Sequence, residues 1–351
     1  MVFEVEVKAI SELSSEDRNQ IKNLATEVRA HPFQTFEWME ACRCESVIEP
    51  HVILLKKKDD IVSYWMHYFR DSEINFMKLN IKIRDSVARA GPVIATPECY
   101  VYIGDMAEVM RTHARSHGAK VIDILAETTW RYELGKYITP KGFIEDPFCT
   151  YLVDLSLPLE LIWNKIDRKG ARWAIRSAQK KNVKCVEGDS KDDFECFTDL
   201  YIETWRRSGK NVKPKNFWER YKTLIEKDMC KLFLAIYNNK KVAGLLLVYN
   251  NEVGIYYSGA SSEEGFKCYA NDLLQWNAIT FCKNRGLKYY DLLGVECNPK
   301  EGTKQYSLKQ FKGKWGGEFI YTPRYKWYSP EIKIGKKLKD FFTSILVRGT
   351  I

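Results

Sequence analysis

The sequence predicts an α/β (α+β) fold built as two tandem domains, each a mixed, mostly antiparallel sheet flanked by helices. Three observations carry that expectation. Gly118-Ala-Lys-Val-Ile-Asp-Ile-Leu125 returns as Gly286-Leu-Lys-Tyr-Tyr-Asp-Leu-Leu293, with Gly, Lys, Asp and Leu at identical spacing. The stretches 53–68 and 234–249 echo each other as an apolar run, a polar turn and a second apolar run, which is a hairpin signature. In both halves the hairpin comes first and the Gly-x-Lys-x-x-Asp element second. The chain of 351 residues has the length of about two ordinary domains.

The first half reads as a strand at 2–7, a helix capped at Ser14-Ser-Glu-Asp, and a shorter helix near Gln34-Thr-Phe-Glu-Trp38. A hairpin at 52–70, a less regular segment at 73–97, a helix at 98–116 and a strand at 120–126 follow. The glycines that open the two echoes suit left-handed helix C-caps, and the alternation after them suits half-buried strands. The pattern breaks near 137–149, which puts the junction between domains of residues 1–146 and 147–324 there. The second half reads as a strand at 150–155 and helical sequence from Pro158 to about Asn182. Helices at 191–208 and 216–228, strands at 231–237, 241–249 and 252–258, a helix at 268–284 and a strand at 288–293 come next. A short helix at 306–314 and a strand at 318–322 complete the domain. The tail, within 325–351, is a basic amphipathic helix at 330–348, expected to pack back on the first domain rather than rest on an acidic membrane face.

Bulk properties exclude several classes. Apolar residues make up 45 % of the chain, enough for real cores. The longest apolar runs fall far short of the roughly 20 residues of a membrane span. The start, 1–8, lacks a signal-peptide shape. Ten scattered cysteines without a Cys-x-x-Cys argue against a zinc site or a disulfide framework and for a reducing cytoplasm. The net charge of +9 hints at an anionic partner. The five histidines, His31, His51, His67, His113 and His117, all lie in the first third. His113 and His117 have a spacing that could bind metal, but they sit at a helix C-terminus, where the dipole favours cations, and no metal is expected.

Two helices, a three-stranded antiparallel run, a helix and another strand is the order of an N-acyltransferase (GNAT-like) module. With Gln34-Thr-Phe-Glu-Trp38 and Arg89-Ala-Gly-Pro92 in the first half and Thr204-Trp-Arg-Arg-Ser-Gly209 and Phe311-Lys-Gly-Lys-Trp-Gly-Gly317 in the second, the chain resembles the Fem-type peptidyltransferases, tandem GNAT-like proteins that move an amino acid from aminoacyl-tRNA to the peptide of a cell-wall precursor. The resemblance spans nearly the whole chain. Arg172-Trp-Ala-Ile-Arg-Ser-Ala-Gln-Lys180, Tyr257-Ser-Gly-Ala260 and Asp291-Leu-Leu-Gly294 complete it. One position departs from the family: Cys42 stands where a lysine often helps to hold the precursor's phosphates. No sustained heptad run supplies the coiled-coil arm of some members.

The resemblance implies that Lys312 stabilises negative charge at the transfer centre. An amine attacking an ester carbonyl builds an oxyanion, and a fixed ammonium in a dry cleft could offset it. Residues confined to one copy are better functional candidates than residues present in both, so the shared Asp123 and Asp291 read as scaffold, while Phe311 and Lys312 have no twin. Arg206 or Arg207, following Thr204, is implied as a phosphate ligand, since a guanidinium fork grips phosphate in a bidentate way. Tyr257 is implied to line the substrate channel. Arg168, Arg172, Arg176 and Lys180 recur at four-residue steps that could track an RNA backbone or a diphosphate, and Trp38 belongs to the N-terminal motif, with core as its plainer place.

The favoured reading is a cytoplasmic aminoacyltransferase without cofactor or metal, taking aminoacyl-tRNA as donor and an amine of a peptide or cell-envelope precursor as acceptor, with a place at the inner membrane face left open. The alternative is an acyl-CoA-dependent N-acyltransferase acting on an amino sugar or small amine. Ser261-Ser-Glu-Glu-Gly-Phe-Lys-Cys-Tyr-Ala270 does not fit the usual pyrophosphate loop, and Glu263 and Glu264 would repel phosphates. A non-catalytic scaffold that binds RNA or an anionic glycan is the third reading.

Overall fold

The computed structural model describes residues 3–76, 79–127, 134–207, 209 and 217–335. Its contacts divide the chain into two units. One holds the residues up to Asp146 together with those from Pro323 onward, and the other is Pro147–Thr322. Among the described residues no helix is long and apolar enough to cross a membrane.

In the first unit the order is β1 (Phe3–Ala9), α1 (Ser15–Glu27), α2 (Phe36–Cys42), β2 (His51–Lys57), β3 (Asp60–Phe76), β4 (Leu79–Ala88), β5 (Val93–Ile94), α3 (Ile103–Ser116), β6 (Ala119–Leu125), α4 (Leu134–Ile138) and β7 (Ile144–Asp146). The second unit has β8 (Cys149–Asp154), α5 (Leu159–Lys165), α6 (Ala171–Lys180), β9 (Lys184–Gly188), α7 (Lys191–Arg207), α8 (Phe217–Glu226), β10 (Cys230–Tyr237), β11 (Lys240–Tyr249), β12 (Val253–Ser261), α9 (Glu263–Lys267), α10 (Ala270–Asn284), β13 (Tyr289–Asp291), α11 (Lys304–Gly313) and β14 (Glu318–Tyr321). A last strand, β15 (Arg324–Tyr328), returns to the first unit.

Both sheets follow one plan. The first runs β1-β2-β3-β4-β6-β15-β7 and the second β9-β10-β11-β12-β13-β8-β14. Each contains one parallel pair, β4 with β6 and β12 with β13, while the other pairings are antiparallel. The two sequence echoes occupy matching places in this plan: the hairpins are β2–β3 and β10–β11, and the Gly-x-Lys elements enter β6 and β13. Gly118 and Gly286 adopt φ of +79° and +77°, ending α3 and α10 as left-handed caps whose N–H groups bond to Arg115 and Lys283 carbonyls. Ser14 and Asp17 form the reciprocal capping box that starts α1. The fold is that of two tandem GNAT-like domains.

One strand of each sheet comes from outside its contiguous module. In the second sheet, β8, which precedes the module, lies between β13 and β14. In the first, β15, from the far end of the chain, takes the matching place between β6 and β7. Tyr325 and Trp327 of β15 are buried in the first unit's core with Ile122, Ile124, Met110 and Phe143.

Several expectations need correction. The segment 73–97 is regular: β3 continues to Phe76 and folds back as β4. Its hydrophobic alternation is hidden by cross-strand charge pairs, Asp71 opposite Arg84 and Arg70 opposite Asp85, at 3.4 and 3.7 Å. The helix expected from Pro158 to Asn182 is two helices, because Ile166 is extended and the Asp167 N–H bonds the Lys314 carbonyl at 2.9 Å. Strand β9, which lacks a strong apolar alternation, was not expected, nor was β15, whose five residues alternate with Tyr325 and Trp327 inward. Beyond residue 335, the tail helix at 330–348 lies outside the described residues.

Because Trp327 fills the first core from a strand so distant in sequence, Trp327→Ala should destabilise that unit by about 3–5 kcal/mol. The exposed Trp173 serves as the control, and Trp173→Ala should change stability by less than about 0.5 kcal/mol. Equal denaturation midpoints for the two variants would contradict the docking of β15.

Candidate functional site

The parallel pair of the second sheet comes apart. β12 pairs with β13 only over Val253–Ile255 against Tyr289–Asp291, after which 256–261 continue without that partner. In the first sheet the matching pair stays together to the end of β4, at Ala88 against Ile124. A splay of this kind exposes strand ends in a concave place, which is where ligands settle in open α/β sheets.

Lys312 occupies the β13 side of the splay. It is 6 % exposed, on the inner face of α11, and its Nζ donates to the carbonyls of Leu293 (2.9 Å) and Gly294 (3.1 Å). Burial pulls its ammonium from 10.5 down to about 8, with the Asp291 carboxylate acting in the opposite direction. Asp291 in turn accepts from the Thr150 hydroxyl at 2.6 Å and the Leu293 N–H at 2.8 Å. The corner is tight: a Cβ on Gly294 would lie 1.7 Å from the Phe148 ring. The rest of the Phe311–Gly317 motif is equally constrained. Lys314 pairs with the buried Asp272, Trp315 is fully buried, and Gly316, at φ +74°, passes so close to Lys165 that a Cβ would meet its backbone at 2.7 Å. Phe311 lines an open groove of about 600 Å³ with Tyr151, Asp167, Lys309, Gly313 and Lys314.

Tyr257 lies on the β12 side, within the strand rather than at its end. The register passes from Leu246–Ser258 to Leu247–Tyr256, so Tyr257 is the extra residue of a β-bulge, a device that re-aims a side chain. Its hydroxyl accepts from the Arg220 guanidinium at 3.1 Å, and its ring meets Tyr221 edge-on. Arg220 is 3 % exposed and was not singled out in the sequence. The signal was present: Phe217, Arg220, Tyr221 and Leu224 share the buried face of α8, and an arginine at that apolar spacing calls for a partner.

Thr204 and Arg207 fasten α7 to the end of β12. The Thr204 hydroxyl accepts from the Ser261 N–H (2.9 Å) and donates to its carbonyl (3.0 Å), where Arg207 also donates (2.8 Å). Arg206 is exposed on the same turn. The basic stripe is interrupted, since Arg168 falls in the break between α5 and α6. Arg172 reaches Asn164 at 3.4 Å, and the exposed Arg176 lies over the Trp163 ring. Trp38 belongs to the other unit, 2 % exposed against Phe33 at 4.4 Å, and Cys42 is buried there too. In that unit the two N-terminal motifs are joined, as the Gln34 amide donates to the Gly91 carbonyl at 2.8 Å.

Against the expectation of no disulfide framework, one pair, Cys149 and Cys297, forms a disulfide, while the other eight cysteines are free. Cys149 and Val295 exchange backbone hydrogen bonds of 3.0 and 2.7 Å, which brings together residues separated by 148 positions. Spacing alone could not reveal this, because the pair forms only when β8 enters the second sheet.

The start of α9 is already filled by the protein's own acceptors. The Ser262 hydroxyl takes the Gly265 N–H, and the Glu203 carboxylate takes the Glu263 N–H at 3.3 Å.

The position of Asp291 has a measurable consequence. In Asp291→Asn, Lys312 should titrate below about 8, followed by NMR of ¹⁵N-labelled lysine side chains. An unmoved midpoint would show that the carboxylate does not support the ammonium.

Residues 167–307 match the family described as an acetyltransferase (GNAT) domain. Lipid II:glycine glycyltransferase of Staphylococcus haemolyticus is 30 % identical over 130 residues, 32 % of this chain and 31 % of that protein. The chain thus spans about a third of the length of the curated relatives it matches. Among solved structures, FemX superposes with a TM-score of 0.68 at 15 % identity, covering 93 % of this chain and 98 % of that one. A tandem GNAT protein from the clavulanic acid biosynthesis pathway superposes at 0.59 with 9 % identity, covering 93 % and 98 %. With a matched GNAT domain in its second half, a paired set of similar sheets and these likenesses, the chain has the GNAT fold.

Proposed function

We propose that the protein transfers an amino acid from aminoacyl-tRNA to a primary amine of a peptide or cell-envelope precursor. The observation that carries this reading is the buried Lys312 ammonium beside the β12–β13 splay. Two of its three N–H donors are held by the Leu293 and Gly294 carbonyls, which fix the nitrogen and leave the third donor for a developing oxyanion. The acceptor nitrogen attacks the ester carbonyl, a C–N bond forms, and the C–O bond to the terminal ribose breaks. The proton lost by the attacking nitrogen goes to the departing ribose oxygen. An activated ester needs positioning and charge stabilisation more than a strong base, and Asp291 is already engaged by Thr150 and Leu293.

Tyr257, aimed by the bulge and oriented by Arg220, would position the substrate carbonyl across the splay. Arg206 is better placed than Arg207 to take a phosphate, since Arg207 is bound to Ser261 and Glu203. The acyl-CoA alternative loses support at α9. Two of its first amides are occupied, and Glu203, Glu263 and Glu264 put negative charge where a pyrophosphate would need donors. The name of the staphylococcal relative points to lipid II, a lipid-linked cell-wall precursor, as the class of acceptor.

Charged tRNA and candidate amine acceptors, incubated with and without ribonuclease and separately with acetyl-CoA, provide the test. Ribonuclease-sensitive transfer is expected. Transfer from acetyl-CoA alone would overturn the reading. Lys312→Ala should lower kcat by about 10²- to 10³-fold in protein whose melting temperature shows it to be folded. A non-catalytic scaffold would instead keep its ligand affinity and cellular role in that variant.

The pH dependence has a definite sign. Lys312 is an ammonium below about 8 and a neutral amine above it. If the charge acts on the oxyanion, the transfer rate, corrected for spontaneous ester hydrolysis, falls as pH rises through about 8. A rate that keeps climbing with acceptor deprotonation well beyond that pH would remove Lys312 from the charge-stabilising role.

A further inference from the structure

Four of the five histidines converge in the first unit, on elements unrelated to the transfer site. His51 opens β2 and stands directly across from His67 on β3. His113 and His117 lie one turn apart at the end of α3, which packs over this part of the sheet. The ring centroids of His51 and His113 are 4.3 Å apart, those of His113 and His117 also 4.3 Å, and those of His51 and His117 5.4 Å. One nitrogen from each of these three residues lies within 4.8 Å of the others. His67 sits behind them, 5.3 Å from the His113 ring and perpendicular to it.

The hydrogen bonding suits a ligand set rather than a packed core. Buried Nδ1 atoms of His51 and His113 have no hydrogen-bond partner among the described residues. His117 Nδ1 faces the His113 carbonyl at 2.9 Å, so it carries the proton and Nε2 keeps its lone pair. His67 is oriented in the same manner by Ser86 at 2.9 Å. His113 and His117 are partly exposed, which gives an ion a way in.

We infer that His51, His113 and His117 form a binding site for one borderline divalent transition-metal ion of the Zn²⁺ class, with a fourth position open to water. Imidazole nitrogens are preferred ligands of such ions and poor ligands for Mg²⁺ or Ca²⁺. In a tetrahedral site the ligand nitrogens stand about 3.4 Å apart, so the rings need only a small rotation from the present spacing. The ion would tie the last turn of α3 to the start of β2.

Tag-free protein, stripped with chelator and titrated with Zn²⁺ or Co²⁺, tests the site. One equivalent should bind, with the intense visible bands of low-symmetry Co²⁺, and the melting temperature should rise with metal. His113→Gln and His117→Gln, checked for folding by circular dichroism, should each weaken Zn²⁺ binding by about 100-fold or more. Cys44→Ser, which removes an exposed thiol, should leave binding unchanged. Lack of stoichiometric uptake, uptake that survives both histidine changes, or uptake lost with Cys44 would each overturn the proposal.

Discussion

The second unit depends on the insertion of β8 between β13 and β14. That strand pairs Leu152 with both Asp291 and Glu318, so one short segment fixes the two pieces of chain that carry the candidate chemistry. It places Thr150 against Asp291, Cys149 against Val295 and Cys297, and Tyr151 under Gly313. A strand with neighbours on both sides cannot slip by one residue without turning its buried face outward. The corner at Leu293–Gly294 is therefore rigid, and the rigidity is handed to Lys312 through two hydrogen bonds.

A buried ammonium is costly unless its surroundings replace water. Here two carbonyls and a nearby carboxylate do so in part, and the remaining penalty appears as the lowered affinity of Lys312 for its proton. Among the described residues, the two carbonyls take two of the three Lys312 N–H groups. In the first unit the matching aspartate, Asp123, is neutralised by the Arg324 guanidinium of β15 instead. The two copies thus share an acidic position and differ in what answers it. In the second the answer is a lysine beside an open splay, and in the first an arginine within a sheet whose parallel pair never separates.

The modular plan was legible in the sequence because it rests on local signals. Gly118 and Gly286 end helices through their own backbone freedom, Ser14 caps α1 through its own hydroxyl, and the hairpins announce themselves by alternation and a polar turn. Lys312 was legible as a candidate because it stands in a motif absent from the first copy. The long β3–β4 hairpin was obscured because opposite charges on facing strands replace the apolar alternation that a single strand would show. The break at 166–170 was hidden for a related reason, since it is held by Lys314, a residue far along the chain.

By itself the sequence determined the two-module α/β architecture and the glycine-capped junctions, while the resemblance of its motifs to the Fem-type proteins supplied Lys312, Tyr257 and the arginines of α7 as candidates. The architecture and the junctions follow from residues within a few turns or one strand of each other. Only the tertiary structure decided that β8 and β15 complete sheets outside their contiguous modules, and that Cys149 meets Cys297. It also decided that Arg220 orients Tyr257 and that four histidines from three elements share one place. Those facts depend on which distant segments become neighbours, and side-chain periodicity along one segment carries no record of the strand or helix that will lie beside it.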